Sequence, residues 1–103
     1  MHSKDAQMLV LTVLAEGPMH GYAINTAIEA LTGARLGAGS LYGALARLEA
    51  RELVEPAGEK SDEPGRQRTV RITRAGRESL RAELEQLTRV AEAGLRSLGI
   101  APA

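Results

Sequence analysis

At 103 residues the chain is long enough for one small domain with an appendage. It has no cysteine, only two histidines and no aromatic residue beyond two tyrosines, so disulfides, thiolate metal sites and the usual zinc sites are excluded. The formal net charge is zero, with 13 basic and 13 acidic residues, so any nucleic-acid surface must come from how charge is distributed.

No apolar run approaches the roughly 20 residues of a membrane span, and no membrane partner is expected. One Lys and one Asp precede the first apolar stretch and no cleavage-like segment follows it, so no signal peptide is expected and the cytoplasm is the expected location. Arginine outnumbers lysine 11 to 2, and alanine and glycine are frequent, which suggests a GC-rich bacterial coding sequence.

The first helix is predicted over residues 4–15, with Ser3 as N-cap and Val10, Leu11 and Leu14 as its buried stripe. Gly17-Pro18 ends it, because proline cannot continue a helix. The second helix is predicted over 21–31, with Ile24, Ile28 and Leu31 inward, and Gly33 together with the stretch 37–39 breaks it. At its start, His20 is expected to cap the helix or face solvent, and Gly21 to let a neighbouring helix approach.

The third helix starts near 37–40 and ends near Leu53. Leu41, Leu45 and Leu48 follow the i, i+4, i+7 spacing of one buried face. Gly43, Ala46, Arg47 and Ala50 lie opposite, with Ser40 and Tyr42 near the start. Small residues beside an arginine make a poor core and a good surface for a narrow groove. Ser40 and Arg47 are the candidates for the groove itself, since arginine reads guanine bidentately and hydroxyls mostly hold phosphate.

A short strand begins at Val54, and Pro56, which lacks an N–H, makes it short, bulged or an edge. Glu63-Pro64-Gly65-Arg66 has the signature of a type II turn. In the return strand, 67–73, Arg68, Val70 and Ile72 share one face and Thr69 and Arg71 the other. Arg66, Arg68, Arg71, Arg74 and Arg77 follow with no acid among them up to residue 77, so the hairpin is basic. Arg66, Gln67 and Arg68 sit where a wing tip would follow a DNA backbone or enter its minor groove. Arg74 and Arg77 stand at the positive end of a helix dipole, which implies an anionic neighbour, either protein acids or phosphates.

Thr73 suits the N-cap of a last helix over 74–98, on the order of 37 Å long at 1.5 Å per residue. Leu80, Leu84, Leu87, Ala91, Gly94 and Leu98 repeat with near-heptad spacing. So small a domain cannot bury that seam alone, so Leu80, Leu84, Leu87, Ala91 and Leu98 are expected at a homodimer interface. The pattern is therefore mainly α with a small β hairpin: a winged helix-turn-helix over 1–73 followed by a C-terminal dimerisation helix over 74–103. No nucleophile–base set, phosphate loop or metal-ligand cluster is present, so no enzyme activity, cofactor or metal is expected.

Three strings in order, LTVLAEGPMHGYAI, GSLYGALARLEARELV and GRQRTVRITRAG, resemble the PadR family of bacterial transcriptional regulators, and the likeness runs from about Ala6 to Leu87. It implies a winged-helix dimer on a palindromic operator of double-stranded DNA, usually a repressor released by a small-molecule inducer. It also implies DNA-backbone contacts from Tyr22 and Tyr42. The chain departs from the pattern at Ala38, where members often have proline, and at Thr69 and Val70, where aromatics are common. A last helix ending soon after Leu98 resembles the subgroup with a single C-terminal helix. With no Trp or Phe, and both tyrosines in the DNA-binding half, any inducer pocket must be aliphatic. The alternative is a winged-helix adaptor that binds protein and not DNA, which would more naturally expose large apolar residues where this chain has small ones and arginine.

Overall fold

A computed structural model describes residues 3–58 and 68–99. In chain order it contains α1 (Ser3–Leu14), β1 (Met19–His20), α2 (Gly21–Thr32), α3 (Ala38–Ala50), β2 (Val54–Pro56), β3 (Thr69–Ile72) and α4 (Arg74–Ser97). The fold is mainly helical with a small antiparallel sheet, the winged-helix arrangement expected from the pattern.

Helices α1, α2 and α3 pack around a core in which Val10, Leu14, Ile24, Ile28 and Leu48 are completely enclosed. In α3 the buried stripe is Leu41, Ala44 and Leu48, so Leu45 is only half-buried, at the margin of the face. In α2 the buried positions are Gly21, Ile24, Asn25 and Ile28. Leu31 does not continue that stripe: it is 59% exposed, because the helix runs past the core in its last turn. Gly33 then ends α2 with φ of 87°, a left-handed cap that suits a residue without a Cβ, and its N–H bonds Glu29 O at 2.8 Å.

The sheet has three strands in the order β1-β3-β2, not the two of a hairpin. Met19 pairs with Val70 and His20 with Thr69, while Val54, Glu55 and Pro56 pair with Ile72, Arg71 and Val70. Pro56 thus lies on an edge strand, as its missing N–H requires. Ile72 is buried and Val70 packs on the core; Arg68 precedes the strand and is exposed. The proposed type II turn at 63–66 lies outside the described residues.

The junction between α3 and α4 is tight. Glu52 adopts φ of 59°, unusual for a residue with a side chain. Its carbonyl accepts a bond from Thr73 Oγ1 at 2.8 Å, and Leu53 O accepts from Thr73 N at 3.0 Å. Thr73 caps α4 as expected, its hydroxyl accepting from Gly76 N at 3.0 Å.

Leu80 corrects the expected seam. It is 5% exposed and belongs to this chain's own core, because the first turns of α4 lie against α1. Beyond Leu80 the helix leaves the core. The principal extents are 56 × 27 × 22 Å and the radius of gyration is 15.3 Å, against about 13 Å for a compact chain of this length.

Candidate nucleic-acid interface

The outward face of α3 carries Ser40, Tyr42, Ala46 and Arg47, all exposed, with Gly43 half-buried among them. A guanidinium nitrogen of Arg47 lies 3.3 Å from the point where a Cβ on Gly43 would stand. The absent side chain thus lets Arg47 lie along the helix. Gly37 is the N-cap of α3 and offers no side-chain bond to the first N–H groups.

Tyr22 lies at the start of α2 and is exposed. His20 caps that helix, its Nδ1 accepting from Ala23 N at 3.3 Å, and its ring lies 6.4 Å from that of Tyr22 at 26° between planes. Tyr42 reaches across from α3 to Gly21, the residue that precedes the exposed Tyr22. The Arg35 guanidinium sits 5.4 Å from the Tyr22 ring centroid and 3.3 Å from Glu29 Oε1.

Asn25 is a structural residue behind this face that sequence reasoning missed. Buried, it donates to Leu36 O and accepts from Leu36 N, both at 2.8 Å. That pair fixes the turn between α2 and α3. The only sequence signal was a polar residue on the stripe of Ile24 and Ile28.

The arginines of the wing separate by partner. Arg71 Nε pairs with Glu55 Oε1 across the sheet at 2.8 Å, and Arg74 with Glu78 at 3.5 Å. Arg77 donates to Ala15 O at 3.3 Å, just past the end of α1. The expected anionic neighbour is thus found as a protein acid for Arg74, whereas Arg77 meets a neutral backbone carbonyl instead. Arg68 has no acid partner among the described residues; Arg66 and Gln67 lie outside them.

On α4, Leu84, Leu87, Ala91 and Leu98 are exposed, with Leu87 at 43% and Leu98 at 76%. Val90 and Leu95, absent from the expected seam, are exposed beside them. Among the described residues there is no group of acids and histidines placed to hold a metal, and no helix is long and apolar enough to cross a membrane.

Residues 10–82 match the model of the transcriptional regulator PadR-like family. The chain belongs to that family. The matched stretch runs from the middle of α1 through the sheet to just past Leu80, so it covers the core apart from Ala6 and stops where α4 leaves it. This PadR-like chain is 25% identical to a transcriptional regulator from Clostridium thermocellum, with a TM-score of 0.76 over 88% of this chain and 87% of the other. It is 32% identical to a candidate transcriptional regulator from Thermoplasma acidophilum, with a TM-score of 0.69 over 93% and 92% of the two chains. It is also 60% identical over 90 residues to an uncharacterized 37.1 kDa protein in transposon TN4556 of Streptomyces fradiae. That match covers 87% of this chain but 25% of the relative, so the chain spans about a quarter of that curated protein's length.

Proposed function

We propose that this PadR-like chain is a sequence-specific DNA-binding regulator acting in the cytoplasm. It binds an inverted-repeat operator as a homodimer and represses until a small-molecule inducer releases it. Residues 1–73 carry the DNA contacts and 74–103 the dimer contact, with the turns of α4 around Leu80 shared with the core. The observation that carries this reading is the outward face of α3: small residues flanking Arg47, beside Tyr42 and Tyr22. Membership of a family of transcriptional regulators supports it.

In the dimer, Leu84, Leu87, Ala91 and Leu98 meet a second copy, and Val90 and Leu95 extend that face. Ser40, Gly43, Ala46 and Arg47 enter the groove, and Tyr22, Tyr42, Arg66, Gln67 and Arg68 hold the backbone. An inducer has an open groove of about 540 Å³ beside α4, with Ala15, Leu80, Leu84 and Thr88 among its lining. Arg77, Arg81, Glu85 and Arg89 complete that lining, which has no aromatic ring, so a fitting ligand is held by apolar and charged contacts and not by stacking.

Affinity for a labelled duplex, measured across salt concentrations, tests the reading. Each neutralised phosphate contributes about −0.9 to the slope of log K against log salt, so a dimer should give a slope on the order of −4 to −8. A slope near zero on the best duplex overturns DNA binding.

A further inference from the structure

Arg35 lies in the connection between α2 and α3, outside both helices. The residue after it, Leu36, is clamped through both backbone polar groups to the buried Asn25. With its backbone fixed, the Arg35 side chain extends back along α2. Its guanidinium carbon sits over the Tyr22 ring, 5.4 Å from the centroid, and one nitrogen lies 3.3 Å from Glu29 Oε1.

A guanidinium that stacks uses its flat face and leaves its edge for hydrogen bonds. Arginine has five N–H donors on that edge. The Glu29 contact engages one nitrogen, at a distance longer than the roughly 2.7–2.9 Å of a strong charge-assisted bond. Both side chains are solvent-accessible, 36% for Arg35 and 49% for Glu29, and pairs of this kind are weak and easily exchanged.

Position makes the exchange meaningful. Tyr42, on the outward face of α3, stands over Gly21. Tyr22 is the next residue, and Arg35 covers its ring. The proposed groove face is therefore joined to this guanidinium through the Gly21–Tyr22 backbone. A duplex backbone laid across Tyr42 and Tyr22 comes within reach of it.

We propose that Arg35 is a DNA-backbone contact, held flat by Tyr22 and restrained by Glu29 until a phosphodiester takes the place of the Glu29 carboxylate. The inference rests on the DNA-binding reading. Tyr22 supplies the platform, and Glu29 acts as a built-in competitor that lowers affinity for every duplex alike.

The test uses the full chain and a fluorescein-labelled random-sequence duplex, read by fluorescence anisotropy at several salt concentrations. Circular dichroism melting checks that each variant is folded. Arg35→Gln should reduce the salt slope by about 0.9 per protomer. Arg35→Lys should keep most of the slope, because the charge remains while the stacking plane is lost. Glu29→Gln should tighten binding at low salt, on the order of two- to five-fold, by removing the competitor. That gain should vanish in the Arg35→Gln background. An unchanged slope in Arg35→Gln, in a wild type that does bind, overturns the assignment of Arg35 and leaves DNA binding standing. A Glu29→Gln gain that persists undiminished without Arg35 overturns it too, since it would report plain repulsion between Glu29 and DNA. If Arg35→Gln does not fold, the Glu29→Gln variant decides alone: unchanged or weaker binding overturns the proposal. A wild type that shows no salt-dependent binding overturns both this inference and the reading beneath it.

Discussion

The Tyr42 hydroxyl stands over the bare backbone of Gly21, 3.0 Å from the point where a Cβ would sit, with two ring carbons at 3.4 Å. The first residue of α2 and the outward face of α3 are therefore fitted to each other through a missing side chain. Alanine is the better helix former by up to about 1 kcal/mol, so any loss from Gly21→Ala reports the clash and not propensity. Gly21→Ala is expected to lower the melting temperature when Tyr42 is present. It should be neutral or stabilising in a Tyr42→Phe background, which lacks the closest atom. A double-mutant cycle should return a coupling of about 0.5 kcal/mol or more. Zero coupling would mean that the half-exposed ring swings aside freely.

Asn25 makes the turn between α2 and α3 a rigid unit. Truncating it leaves the N–H and C=O of the buried Leu36 without their partner, at about 1–3 kcal/mol for each unsatisfied group. Asn25→Ala should thus lower stability by on the order of 2–4 kcal/mol in urea titration. Asn25→Asp keeps the acceptor for Leu36 N but cannot donate to Leu36 O when ionised, so it should also be strongly destabilising. A change under about 0.5 kcal/mol, the range of ordinary surface substitutions, would show that the turn holds without the clamp.

Gly76 and Gly39 should respond to alanine with opposite signs. A Cβ on Gly76 would collide with the Leu53 carbonyl and lie 2.7 Å from Ile72 Cγ1. That carbonyl cannot retreat without losing its bond from Thr73 N at 3.0 Å. Forcing an extra methyl into a packed site costs about 1–3 kcal/mol or more. Gly39 has nothing within 4 Å of its Cβ position, so Gly39→Ala should stabilise α3 by up to about 1 kcal/mol. Thermal melts of the two variants, side by side, check the contrast.

Local chemistry was legible in the sequence where one residue decides the outcome. Thr73 caps α4, His20 caps α2, Gly33 ends α2 and Pro56 lies on an edge, each because of a property of its own side chain or backbone. Periodicity found the stripes but not their limits. It read Leu31 inward and Leu45 fully buried because a repeat does not say where the core stops. Leu80 went to the dimer seam for the same reason: Leu80 and Leu84 share a spacing, and only the position of α1 separates them. The two-residue strand β1 is too short to show alternation. Asn25–Leu36 and Gly21–Tyr42 depend on contacts 11 and 21 positions apart along the chain, which no local pattern encodes. The arginine cluster looked uniform, yet Glu55 engages Arg71 because the strand register places them opposite each other.

That division along α4 has a direct consequence. Leu87 is 43% exposed and Leu80 only 5%. Leu87→Glu should give a folded monomer in analytical ultracentrifugation, because the charge meets solvent once the partner leaves. Leu80→Glu should unfold the chain, since an ionised carboxylate in the core is not tolerated without a partner. A folded, unchanged dimer in Leu87→Glu would remove this face from the dimer contact.

Arg47 and Arg68 should fail differently on DNA. Arg47 lies on the outward face of α3 over Gly43, and the proposed function sets it against base edges. Arg68 lies exposed just before β3, and the proposed function sets it against phosphate. Arg47→Ala is expected to cost about 1–3 kcal/mol on the preferred operator and little on random DNA, which narrows the specificity ratio. Arg68→Ala should weaken both DNAs by similar factors and reduce the salt slope by about 1 per protomer. Fluorescence anisotropy on both duplexes at several salt concentrations separates the two patterns. If Arg47→Ala lowers specific and random binding equally, Arg47 is a phosphate clamp. Base reading then falls to Ser40 and the small residues around it, which can make room for a groove but supply few donors to read it.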